Sequence, residues 1–153
     1  MVHRGKKNGV HVKESKDFDS FMELENEILQ KYHSAKAVHT GEELAMLAER
    51  FPKNIRLYVG ELDGNMVAGT VIFENNGVAH TQYLANSDTG RQAGALDCVI
   101  DYLLSEVYAE CRYFDFGISN EDEGRYLNEG LIAQKEGFGA RAVVHDFYRV
   151  RLG

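Results

Sequence analysis

Leu84-Ala85-Asn86-Ser87-Asp88-Thr89-Gly90-Arg91-Gln92-Ala93-Gly94-Ala95 joins two kinds of sequence. Before it, apolar and polar residues alternate with the period of a strand. After it, Leu96, Val99, Ile100, Leu103, Leu104 and Val107 recur at helical spacing. The stretch therefore reads as strand, polar loop and the start of a long helix running from about Arg91 to Glu110. A helix start leaves backbone N–H groups unpaired and carries a partial positive charge. Small residues there let a diphosphate approach the backbone. The functional reading is a pyrophosphate cradle; the ordinary reading is a surface loop. The stretch carries neither the G-x-G-x-x-G of a dinucleotide fold nor the Gly-Lys-Ser/Thr of a P-loop.

Upstream, three strands are expected. Ile55–Leu62 is closed by Asp63-Gly64, and Met66–Phe73 by Asn75-Asn76-Gly77; both closures are hairpin signals. Val78–Ala85 completes an antiparallel meander. Gly9–Glu14 alternates and reads as a further strand. Asp17–Tyr32 reads as a helix capped by Ser15 or Asp17. Thr40 followed by Glu43 forms a capping box for a second helix that Pro52 stops. Downstream come a short strand Tyr113–Gly117, which would bury Asp115, and an acidic loop Ser119–Gly124. A helix from about Glu123 to Glu136 and a last strand Arg141–Leu152 follow, the latter alternating Val144, Phe147 and Val150. This order argues for one α/β domain over residues 1–153, with residues 1–13 a basic lead-in. Phe21, Leu44, Leu57, Val59, Val71, Phe73, Leu103, Phe114 and Phe116 are the expected core.

The 153 residues suit one domain, and 44% hydrophobic and 27% charged residues are ordinary globular usage. The net charge of −7 argues against a broad nucleic-acid-coating surface, which needs a Lys/Arg excess. There is no run of 18 apolar residues, so no membrane-spanning helix is expected. The basic N-terminus is followed by no apolar segment of the kind found in signal peptides. Cys98 and Cys111 lack zinc-ligand spacing and read as free thiols of a reducing cytoplasm, and no metal site is expected.

The element order resembles the GNAT superfamily of N-acyltransferases. In that family the helix after the fourth strand opens with Q/R-x-x-G-x-G/A, whose amides hold the pyrophosphate of acyl-CoA. Arg91-Gln92-Ala93-Gly94-Ala95-Leu96 fits its first and fourth positions, with Leu96 in place of the last small residue. The resemblance implies an α/β fold with a mixed, mostly antiparallel sheet flanked by helices. It also implies acetyl-CoA or another acyl-CoA as co-substrate. Its contacts would be Leu84, Ala85, Gly90, Arg91, Gln92, Ala93, Gly94 and Ala95. Tyr113-Phe114-Asp115-Phe116-Gly117-Ile118-Ser119 and the later Gln134-Lys135-Glu136-Gly137-Phe138-Gly139 are similar to a narrower branch, the Fem-type peptidoglycan-bridge transferases. These carry F-D-F-G-x-S and then F-K-x-x-x-G. Gln134 stands where the branch has Phe; Lys135 and Gly139 match. Fem-type proteins contain two GNAT-like halves, and this chain is similar to the second. A missing N-terminal half or a homodimer is the partner this implies.

Attack of an amine on a thioester needs a base for the ammonium proton and donors for the oxyanion. His80 lies in the third meander strand, and an imidazole's ordinary pKa of about 6.5 suits a base near neutrality. Glu61 and Glu74 sit near strand ends, where carboxylates are usually solvated. The tyrosine that GNAT members place four residues before the Gly-Phe pair is absent, Ala133 standing there; Tyr126 is the nearby phenol. In the Fem-type branch the lysine matching Lys135 meets a phosphate or the developing oxyanion. The leading expectation is transfer of an acyl group, acetyl first, from acyl-CoA to an amine of a sugar or other small molecule. An aminoacyl-tRNA-dependent transferase half is a second reading, and the net charge opposes it. A non-catalytic GNAT-like binding module is the third.

Overall fold

The computed structural model describes residues 2–146 and 148–152. The chain forms two compact units, one ending at Gly117 and the other beginning at Ile118.

The first unit is a five-stranded sheet in the order β1-β2-β3-β4-β5. Its strands are β1 His11–Ser15, β2 Ile55–Leu62, β3 Asn65–Asn75, β4 Val78–Asn86 and β5 Tyr113–Asp115. Neighbouring strands are antiparallel except β4 and β5, which are parallel. The expected mixed, mostly antiparallel sheet is present. Both hairpins form at the residues that favour them: Asp63 and Gly64, then Asn76 and Gly77, all take left-handed conformations.

Helices α2 Phe18–His33 and α3 Gly41–Arg50 cover one face. Asp17 caps α2 by accepting from Ser20 N, and Thr40 and Glu43 form the capping box of α3. Phe18, Phe21, Met22 and Leu44 pack there with Leu57, Val59, Val71, Tyr83 and Ala85. On the other face, Val99 and Leu103 pack against Tyr58, Ile72 and Ala79.

The single helix expected from Arg91 to Glu110 is divided. α4 Asp88–Ala93 starts earlier, capped by Ser87, and ends at Gly94 in the left-handed conformation (φ 78°). α5 Ala95–Tyr102 then begins and continues as a π-helical turn over Leu103–Val107. The basic lead-in also holds an unforeseen helix, α1 Val2–Lys7, packed on α5. Gly5 meets the Gly94 carbonyl and Cys98 so closely that a Cβ would clash, and Asn8 Nδ2 donates to Ala93 O at 3.2 Å.

Six of the nine expected core residues are fully buried; Phe73, Phe114 and Phe116 are half-buried. Asp115, expected inside, is exposed because β5 is the sheet edge.

The second unit holds a two-stranded ribbon, β6 Asn120–Glu121 and β7 Tyr126–Leu127, and helix α6 Glu129–Gly137. The helix expected from about Glu123 therefore begins later, where Asn128 caps it by accepting from Leu131 N. Residues 141–146 and 148–152 form no strand, correcting the expectation for Arg141–Leu152; Phe147 lies outside the described residues. An alternating pattern makes a strand only when another strand takes up its backbone groups, and none among the described residues does.

Candidate active site

β4 and β5 pair only through Val78–Tyr113, Ala79–Phe114 and His80–Asp115. Beyond His80, no strand among the described residues adjoins β4 on that side. The parting coincides with a bulge. Val71 faces Tyr83 while Ile72 faces Thr81, so Gln82 is an extra residue in β4. A bulge bends its strand and raises the local twist. It also changes which side chains face which helices: Ala79 packs toward α5, whereas Tyr83 and Ala85 pack toward α2 and α3. By alternation, His80 points to the same face as Tyr83.

At the parting, His80 Nδ1 lies 2.7 Å from Asp115 Oδ2. A carboxylate only accepts, so Nδ1 carries a proton, and in the neutral ring Nε2 then keeps its lone pair. Asp115 Oδ1 accepts from Gly117 N at 2.8 Å, and Thr81 Oγ1 donates to the Asp115 carbonyl at 3.3 Å. The imidazole and carboxylate side chains are 36% and 49% exposed, so solutes reach both. Further along β4, His39 from the α2–α3 connection meets Tyr83. Its backbone N donates to Tyr83 Oη at 3.2 Å, and its Nδ1 lies 2.8 Å from the same oxygen.

The end of β4 is tied to α2. Asp88 accepts from Lys31 Nζ at 2.5 Å and from Tyr32 Oη at 2.6 Å, and these two hydrogen bonds hold its carboxyl below the usual range. The Arg91 guanidinium lies 4.7 Å from the Tyr32 ring centre. Of the residues expected to hold a cofactor, Arg91 and Gln92 are exposed and Leu84 is half-buried. Ala85, Gly90, Ala93, Gly94 and Ala95 are buried. Ser87 Oγ accepts from Gly90 N, so that amide is already satisfied. The start of α5 has no side-chain cap.

Lys135 and Tyr126 lie in the second unit. Lys135, in the last turn of α6, donates from Nζ to Ile118 O at 2.5 Å. Tyr126 is exposed and pairs with Glu121 across the ribbon. Among the described residues, no group of three His, Cys, Asp or Glu side chains converges as a metal-ligand set. Likewise, no helix is long and apolar enough to cross a membrane.

A model of the acetyltransferase (GNAT) domain matches residues 3–126, most of the chain and all of the five-stranded sheet. The chain belongs to the GNAT family. No curated protein matches it significantly. Several solved structures share the GNAT fold. FemX superposes with a TM-score of 0.68 at 13% identity, over 90% of this chain and 52% of FemX. Glucosamine-6-phosphate N-acetyltransferase from Arabidopsis thaliana gives 0.63 at 13% identity, over 92% and 97% of the two chains. An aminoglycoside N-acetyltransferase in complex with CoA gives 0.60 at 15% identity, over 94% and 95%.

The GNAT fold implies an acyl-CoA, and the residues present fit one. On the side away from β3, the β4 backbone from Thr81 to Asn86 meets no strand among the described residues, an edge suited to the amides of a pantetheine arm. Arg91 and Gln92 are exposed beside the uncapped start of α5. Asn86 Oδ1 is buried with no hydrogen-bond partner in this structure.

Sequence reasoning singled out His80 but missed its partner, because it assigned Asp115 to the interior. It also missed Tyr83 and His39, for which the sequence carries no local signal: the two residues lie 44 positions apart.

Proposed function

We propose that this GNAT protein is an N-acyltransferase that moves an acyl group, acetyl first, from acyl-CoA to a primary amine of a sugar or other small molecule. One observation carries the reading: a half-exposed histidine, held through Nδ1 by Asp115, stands where β4 and β5 part. His80 takes a proton from the acceptor's ammonium group. The neutral amine then attacks the thioester carbonyl; a C–N bond forms, the C–S bond breaks, and the second amine proton leaves with the thiolate as CoA thiol. Acyl-CoA supplies the activated carbonyl. The β4 edge at Leu84 and Ala85 takes the pantetheine arm. Arg91, Gln92 and the segment Gly90–Ala95 form the phosphate end. We read residues 1–153 as one functional acyltransferase of Fem-like type, and the free cysteines suit a cytoplasmic location.

The acetyltransferases of glucosamine-6-phosphate and aminoglycosides among the similar structures support a sugar amine as acceptor. The test is thiol release from acetyl-CoA in the presence of a panel of amino sugars, with native chain and His80→Ala. Acceptor-dependent release that falls at least about a hundredfold in the variant supports the reading. Release at the native rate in His80→Ala removes the base; absence of acceptor-dependent release and of acetyl-CoA binding removes the activity.

A further inference from the structure

We propose that the turn Asp115-Phe116-Gly117 is a clamp that fixes the tautomer and orientation of His80, with Asp115 as the positioning residue. The inference rests on His80 acting as the base.

Three observations meet at this turn. Asp115 is held by the parallel register directly opposite His80, and its Oδ2 accepts a hydrogen bond from Nδ1–H at 2.7 Å. Its Oδ1 is fixed by the Gly117 amide at 2.8 Å, so the carboxylate cannot swing away without losing a hydrogen bond. Gly117 adopts φ +70°, and a Cβ there would stand 3.4 Å from His80 Cε1. The backbone of the turn therefore runs along the edge of the imidazole ring. A left-handed residue is needed to bring the chain there, and glycine takes that conformation at no steric cost.

The chemical consequence follows from the two ring nitrogens. A neutral imidazole carries one proton, and whichever nitrogen holds it cannot act as base. Asp115 keeps the proton on Nδ1, leaving Nε2 to accept the acceptor's proton. As the imidazolium forms, both N–H groups become donors and the carboxylate stabilises the new charge. No proton passes to Asp115 itself. The same carboxylate–imidazole logic orients the histidine of serine hydrolases, where removing the carboxylate leaves geometry intact but puts the proton on the wrong nitrogen.

The tautomer can be read without any substrate. In long-range proton–nitrogen spectra of histidine-labelled protein, the His80→Gln variant identifies the His80 signals among those of the six histidines. The native chain should show His80 with Nδ1 protonated and Nε2 free. Asp115→Ala should move the population toward Nε2–H; if that variant does not fold, Asp115→Asn is read in its place. Turnover number should fall by roughly 10²–10⁴-fold, while KM for acetyl-CoA and for the amine stays within about twofold. A native Nε2–H form, or an Nδ1–H form that survives loss of the carboxylate, overturns the clamp. If the spectra behave as expected but His80→Ala turns over normally, it is the base reading that fails, and the clamp loses its catalytic role with it.

Discussion

The ring of Phe21 lies against the bare α-carbon of Gly69, so helix α2 sits directly on strand β3. A Cβ at position 69 would stand 3.1 Å from Phe21 Cδ2 and 2.8 Å from the Tyr58 carbonyl oxygen. Neither neighbour is free to give, because Phe21 and Tyr58 are fully buried and β2 is paired on both sides. Gly69→Ala should therefore lower unfolding free energy by about 1–3 kcal/mol, the usual cost of overpacking. Urea denaturation measures it, and an unchanged midpoint would contradict this packing.

Glu25 lies on the core-facing side of α2, buried, with Oε2 lacking a hydrogen-bond partner in this structure. Burial pushes its carboxyl up from 4.5 to about 7. Below 4.5 both folded and unfolded chains hold the proton, and there is no penalty. Between 4.5 and 7 the unfolded chain releases a proton that the folded chain keeps, so stability falls as pH rises. Above 7 the penalty is complete, roughly 3–4 kcal/mol at about 1.4 kcal/mol per pKa unit. Glu25→Gln should match the native chain at low pH and exceed its stability by roughly that amount at about pH 8. A stability difference independent of pH would show that the carboxyl is not the cause.

Arg91 offers a cleaner probe of the phosphate end than Gly94, which is buried at φ +78°, where any added side chain is strained. Arg91 is exposed, so Arg91→Glu should fold normally while placing a negative charge beside the diphosphate. Titration calorimetry should show acetyl-CoA affinity reduced at least about tenfold, given the size of close charge–charge terms near a surface. Equal affinity would move the phosphate site elsewhere.

Lys135 donates to the Ile118 carbonyl from the last turn of α6. Its loss should cost little stability, since a hydrogen bond that water can replace contributes little net free energy. If the ammonium also meets the developing oxyanion, Lys135→Ala should lower turnover at least about a hundredfold, the effect of removing one such donor. Normal turnover, or a large drop in melting temperature, would make the lysine structural.

The sequence by itself determined the sheet's meander, both hairpin turns, the capping box of α3 and most of the first unit's core, and narrowed the cap of α2 to Ser15 or Asp17. Those features depend on neighbours within a few positions: alternation along one strand, a left-handed Asp-Gly or Asn-Gly pair, a threonine oxygen three residues from a glutamate. It also singled out His80 as a candidate base. What only the tertiary structure decided is the company His80 keeps. Asp115 lies 35 positions away and reaches it through a parallel register set by the α4–α5 crossover, which no local periodicity encodes. The same holds for the division at Gly94, where α1 packs on the helix junction, and for residues 141–146 and 148–152. Their alternation favours a strand, but a strand exists only where another backbone supplies the hydrogen bonds.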